Sequence, residues 1–170
     1  ETFVTRKITR GVAKIALGLD KCLYLGNLNS QRDWGHAKDY IEGMYLMLQQ
    51  EVPEDFVLAT GITTSIREFV KMAFAEIGID LGFRGENELE EGYILKNSGE
   101  YKLSEGDVVV KVDSKYFRPT EVELLIGDPK KAKEKLGWTP KYDLLSLVKE
   151  MVESDLKLFR GELYIKQSGI

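Results

Sequence analysis

The chain has 170 residues, enough for one globular domain with its own core or for part of a larger one. Its 24 Lys and Arg against 28 Asp and Glu leave a net charge of -4, which argues against a nucleic-acid surface built on a basic patch. The lone cysteine, Cys22, rules out an internal disulfide and favours a reducing, cytoplasmic compartment; no apolar run approaches a membrane span, and no signal peptide is visible.

The chain opens on Glu1 rather than methionine and enters a helical pattern almost at once, as expected of a chain whose upstream part is missing. Val4, Ile8, Val12, Ile15 and Ala16 fall on one face and predict a helix over 3–17, ended by Gly18. "KCLYLGN" reads as a short buried strand closed by the turn-prone Asn27, Asn29 and Ser30. The stretch "QRDWGHAKDY", residues 31–40, holds the only histidine and opens a second helix. That helix places Ile41, Met44, Tyr45 and Leu48 at helical spacing and exits at Pro53. "DFVLATG" reads as a second buried strand.

Ser65 and Glu68 form a capping box for a third helix, with Ile66, Phe69, Val70, Ala73 and Ile77 on its apolar face and Gly78 as its stop. Residues 82–113 alternate in pieces such as "YILK" and "VVVKV", as expected of a small sheet at the side of the main body. Asp128 as N-cap and Pro129 at the first helical position start a short helix that ends at Gly137. A last helix over 143–159 carries Leu144, Leu145, Val148, Met151, Val152 and Leu156, and the tail from Gly161 is expected to fray. Strands alternating with helices predict an α/β fold with parallel strands.

His36 and Asp39 stand three apart and could share a metal ion, but two ligands rarely make a site. The simpler reading is a helix start, with Asp33 as N-cap and His36 and Asp39 as polar residues of the first turn. A catalytic triad on His36 lacks the G-x-S-x-G turn that would present a serine. Phosphate recognition has more support. Lys7 and Arg32 lie near expected helix starts, where cations and free N–H groups favour a polyphosphate. Arg118, fixed beside Pro119, precedes Glu121 by three residues, so one loop could offer an arginine to phosphate and a carboxylate to a sugar hydroxyl. A surface Arg–Glu contact that steadies a turn fits the same residues equally well. No G-x-G-x-x-G follows a strand, and no tyrosine has a lysine four positions on.

The segments "TFVTRKITRGVAKI", "LGNLNSQRDWGHAKDYIEGMYLMLQQ", "EDFVLATG", "TSIREFV", "YFRPTEVELLIGDPKKAKEKLGW" and "LVKEMVESDL" together resemble the GDP-mannose 4,6-dehydratases, extended short-chain dehydrogenase/reductases. The resemblance runs in register from Thr2 to about Leu156 and matches only the C-terminal half of such an enzyme. It implies the last Rossmann strands and helices interleaved with the smaller substrate-binding lobe over 1–160, a frayed tail over 161–170, and an absent N-terminal half. That absent half would carry the NADP loop and all the catalytic groups. In the complete enzyme, GDP-mannose would be converted to GDP-4-keto-6-deoxymannose with loss of water, in a homo-oligomer of two or four subunits. Matched position by position, Lys7 would contact the nucleotide with Val4 near the base, Arg32 and Arg118 would hold the diphosphate, and Glu121 would meet the ribose. Two further readings remain: another extended short-chain dehydrogenase on a nucleotide sugar, such as an epimerase or a reductase, or a non-catalytic nucleotide-sugar-binding module. A chain cut from a larger sheet should also expose apolar faces and associate.

Overall fold

A computed structural model of the chain describes residues 3–168. The first helix, α1 (Val4–Ala16), buries Ile8, Val12 and Ile15 as its periodicity predicts, and Gly18 takes the left-handed turn that follows it. Three short segments come next: strand β1 (Leu23–Leu25), strand β2 (Gln31–Asp33), and helix α2 (Ala37–Leu48). Strand β3 (Thr63–Ser65) runs straight into α3 (Ile66–Ala75), where the Ser65 hydroxyl accepts the Glu68 N–H. Strands β4 (Ile79–Arg84), β5 (Glu91–Asn97) and β6 (Val108–Val112) follow, then β7 (Leu124–Leu125), α4 (Lys130–Leu136) and α5 (Leu144–Gln167).

The strands form two mixed sheets, one in the order β1-β6-β5-β4 and one in the order β3-β2-β7. The expectation of parallel strands holds for β1 with β6 and for β2 with β7; β4–β5 and β5–β6 are antiparallel across short connections, and β2–β3 is antiparallel across a longer connection that contains α2. Helices α1, α3 and α5 pack on one another, and their apolar residues close over Leu23, Leu25, Ile79, Ile94 and Val110 of the larger sheet. That burial is the main stabilising term. Thr9 on α1 donates to Asp155 on α5 at 2.7 Å, and Arg6 pairs with the same buried carboxylate at 2.9 Å, fixing the register of the two helices.

Several expectations change. The 82–113 region is no lateral excursion, because β6 lies between β1 and β5 in the main sheet. "DFVLATG" forms no strand: among the described residues it gains no ladder partner and is held by side-chain contacts to its neighbours. The stripe Ile41, Met44, Tyr45 and Leu48 faces outward, while α2 turns Gly43 against Leu58 and Trp138. Asp33 does not cap α2. Its carboxylate accepts from the Thr60 N–H and hydroxyl and from the Gly61 N–H, stitching β2 to the 58–61 segment, and the His36 ring caps the helix instead. At α4 the N-cap is Pro129, with Asp128 accepting the Lys130 N–H from one residue upstream. The tail does not fray at Gly161: α5 continues to Gln167, because a single helical glycine costs only about 1 kcal/mol and the flanking residues are good helix formers.

Candidate functional site

Strand β1 ends at Leu25, and the chain from Asp113 to Val122 folds back across that end. Asp113 donates its N–H to the Leu25 carbonyl at 2.9 Å, and the Tyr116 and Phe117 N–H groups both return to the Asp113 carbonyl. Gly26 has no room for a side chain, since a Cβ there would overlap the Tyr116 carbonyl. Next to it, the Asn27 amide makes two 2.9 Å hydrogen bonds to the main chain of Arg118, donating to its carbonyl and accepting its N–H.

Between this loop, the start of α1 and strand β2 lies a cavity of about 410 Å³, within the range of small-molecule sites. Val4, Lys7, Arg32, Arg118 and Glu121 all line it, although they come from three separate parts of the chain. Phe3, Val4, Leu25 and Ile66 supply apolar wall, and Lys115 is a further cation at the rim. Four cationic side chains against the one carboxylate of Glu121 make the cavity a place for an anion.

The cations are not equivalent. The Lys7 ammonium sits 3.3 Å from the centre of the Tyr116 ring, a cation–π contact that holds it over the loop. Burial lowers its pKa below the ordinary lysine value; Asp113 opposes that effect and Lys115 adds to it. Arg32 lies in β2 rather than at a helix start, and its guanidinium is already engaged. Nη1 donates to the Gln31 and Val122 carbonyls at 2.9 and 2.7 Å, and Nη2 donates to Glu121 Oε1 at 2.9 Å. Two donors, Nε–H and one Nη2–H, are left for a ligand. Arg118 is exposed, and its guanidinium has no hydrogen bond or ion pair among the described residues. The side chains of Arg118 and Glu121 do not pair, although the Glu121 N–H donates to the Arg118 carbonyl at 3.2 Å; the Glu121 carboxylate turns to Arg32 and also accepts the Val122 N–H.

Asn27, Lys115 and Tyr116 are lining residues that the sequence did not single out as site groups. Asn27 reads locally as a turn residue, and its partner lies 91 positions away, so no local pattern carries the signal.

The "QRDWGHAKDY" stretch divides between two tasks. Arg32 faces the cavity, whereas His36 is buried and committed elsewhere. Its Nδ1 accepts the Lys38 N–H at 3.1 Å, which leaves Nε2 to carry the proton toward Glu150 Oε2 at 3.1 Å. That hydrogen bond and the Lys38 ammonium hold the Glu150 carboxyl below its ordinary range. With both nitrogens engaged and the ring stacked on Tyr142, His36 has no lone pair for a metal or a nucleophile. Asp39 is buried, accepting the Tyr142 N–H, and its carbonyl receives the Trp138 indole N–H at 2.7 Å.

A family model for GDP-mannose 4,6 dehydratase matches residues 1–151. The chain belongs to the GDP-mannose 4,6-dehydratase family. It is 52% identical to a GDP-mannose 4,6-dehydratase of Vibrio cholerae, over 99% of this chain and 46% of that one. With the Dictyostelium discoideum protein of that name it shares 58% identity over 96% of this chain and 44% of the relative. The human protein is 53% identical over 93% of this chain and 40% of its own. The chain therefore spans about half the length of the curated relatives it matches. Among solved structures it is similar in fold to RMD from Pseudomonas aeruginosa complexed with NADPH, with a TM-score of 0.69, 15% identity, and coverage of 92% of this chain and 43% of that one. A dTDP-glucose 4,6-dehydratase from Bacillus anthracis in complex with NAD superposes with a TM-score of 0.59 and 19% identity over 86% of this chain and 37% of that one. The α/β fold is thus a part of the extended short-chain dehydrogenase/reductase fold. No helix of the described residues is long and apolar enough to cross a membrane.

Proposed function

We propose that the chain is the substrate-holding part of a GDP-mannose 4,6-dehydratase, an NADP-dependent carbon–oxygen lyase acting in deoxyhexose nucleotide-sugar synthesis. Its own task is to grip the GDP portion of GDP-mannose. The observation that carries this reading is the convergence of Val4, Lys7, Arg32, Arg118 and Glu121 on one cavity with an excess of positive charge. Arg118, without an internal partner among the described residues, takes the diphosphate, and Arg32 adds its two remaining donors. Lys7 contacts the nucleotide, and Val4 packs near the base. Glu121 keeps Oε2 for a ribose hydroxyl while Oε1 stays with Arg32.

NADP does not fit this chain. The described residues offer no glycine-rich strand–turn–helix to receive a pyrophosphate, and the proposed reading assigns the cofactor and the catalytic groups to the family's N-terminal half. Holding the nucleotide here positions the sugar for them, and binding energy from this remote part supports the chemical step. The same reading places the enzyme in the cytoplasm as a homo-oligomer.

Fluorescence titration with mant-GDP tests the proposal. Arg118→Ala removes a charge-assisted contact worth about 1.5–3 kcal/mol, so binding should weaken roughly 10- to 150-fold. Affinity unchanged by Arg118→Ala would overturn the site.

A further inference from the structure

We propose that Asn27 is a positioning residue for the nucleotide site, acting through the backbone of Arg118; this rests on the GDP-binding reading above. The loop that carries Arg118 has no regular secondary structure between β6 and β7, and Pro119 lacks an N–H with which to anchor it. An arginine on such a loop would sample many conformations, and a ligand would have to order it at an entropic cost. The Asn27 amide prevents this. It donates Nδ2–H to the Arg118 carbonyl and accepts the Arg118 N–H on Oδ1, both at 2.9 Å, so it satisfies both polar groups of one residue as a neighbouring strand would. Asn27 itself lies two residues beyond the end of β1, which is rigid because Leu23 and Leu25 are buried and paired with β6.

The clamp does not work alone. The close approach allowed by Gly26 seats Tyr116 on the strand end, and the Asp113 N–H bonded to the Leu25 carbonyl fixes the start of the loop. Arg32, bonded to the Val122 carbonyl and to Glu121, fixes its far side. Within the loop the Glu121 N–H also returns to the Arg118 carbonyl at 3.2 Å, and Asn27 is the contact that ties Arg118 to the end of β1. Its side chain lines the cavity without carrying a charge for the ligand, so its part is to anchor the main chain from which the Arg118 guanidinium reaches the ligand.

A double-mutant cycle with mant-GDP separates positioning from direct contact. Asn27→Ala should weaken binding about five- to tenfold, the loss of two ordinary hydrogen bonds from the bound geometry. In an Arg118→Ala background the same substitution should change affinity by less than about twofold, because there is no guanidinium left to place. An undiminished effect of Asn27→Ala in that background overturns the inference while leaving the nucleotide reading intact. No effect of Arg118→Ala overturns both. If Asn27→Ala does not fold, the cycle is run with Asn27→Asp, which keeps the acceptor for the Arg118 N–H and turns a carboxylate oxygen on the carbonyl. Wild-type affinity for Asn27→Asp then overturns the inference, and a loss that vanishes without Arg118 supports it.

Discussion

Helix α2 makes a sharp prediction about the chain in isolation. Ile41, Met44, Tyr45 and Leu48 lie at helical spacing with 65%, 57%, 61% and 82% of their surfaces exposed. Fully burying an apolar side chain of this size is worth about 1.5–3 kcal/mol, so covering what is exposed would release about 4–8 kcal/mol per face. A second copy using the same face doubles that gain, against an association cost of about 4–15 kcal/mol. Val57, Leu124, Leu125 and Ile126, each about half exposed, add further apolar surface. The expected behaviour is self-association at micromolar concentration, with a rise in fluorescence of the dye ANS. The triple variant Ile41→Lys, Tyr45→Glu, Leu48→Lys should abolish both and shift the melting temperature little, because exposed side chains contribute little to the core. A wild-type chain that sediments as a monomer, leaves ANS dark and melts in one sharp transition would refute the reasoning.

Lys7 gives a pH test. Burial already disfavours its ammonium, so the proton is lost below the ordinary lysine value of 10.5, and affinity for an anion should fall as pH rises through that depressed point. Lys7→Arg, whose guanidinium stays charged, should hold affinity to higher pH; parallel pH profiles in mant-GDP titrations would contradict the assignment. Arg67 and the buried Glu90 form a bidentate pair at 2.7 and 2.8 Å between α3 and the approach to β5. Arg67→Met alone should cost about 3–5 kcal/mol in urea unfolding of the soluble triple variant, and Arg67→Met with Glu90→Met should recover most of it. Gly26→Ala forces the Tyr116 carbonyl off the strand end and should weaken mant-GDP binding several-fold with an unchanged far-ultraviolet spectrum.

How much of this was legible in the sequence depends on how far away the deciding partner lies. The start of α3 was legible because Ser65 and Glu68 settle it between themselves. The same is true of α1, whose apolar face at 3.6-residue spacing could only be one side of a helix. The periodicity of α2 was equally clear and its meaning was not: spacing identifies an apolar stripe, but whether anything covers that stripe is a tertiary fact. Asp33 looked like a helix cap because its local neighbours permit it, yet three groups on Thr60 and Gly61 compete for the same carboxylate and win. The site residues follow that rule as well. Composition and spacing could offer Arg118 and Glu121 as neighbours and Lys7 and Arg32 as candidate phosphate ligands, with family resemblance needed to add Val4 and to tie the set to one nucleotide.

The chosen partner of Glu121 is Arg32, which stands 89 positions away and which no spacing argument could select. That exchange alters how the cavity works. Had Glu121 paired with Arg118, a diphosphate would have to break the pair to bind. Because Arg32 takes the carboxylate and the Asn27 amide takes the Arg118 backbone, the Arg118 main chain is held in place while its guanidinium is left chemically free. A cation on an anchored main chain and without an ion pair breaks no pair when an anion arrives and has only its side chain left to order, so under the proposed nucleotide reading the two long-range contacts lower the cost of taking a phosphate.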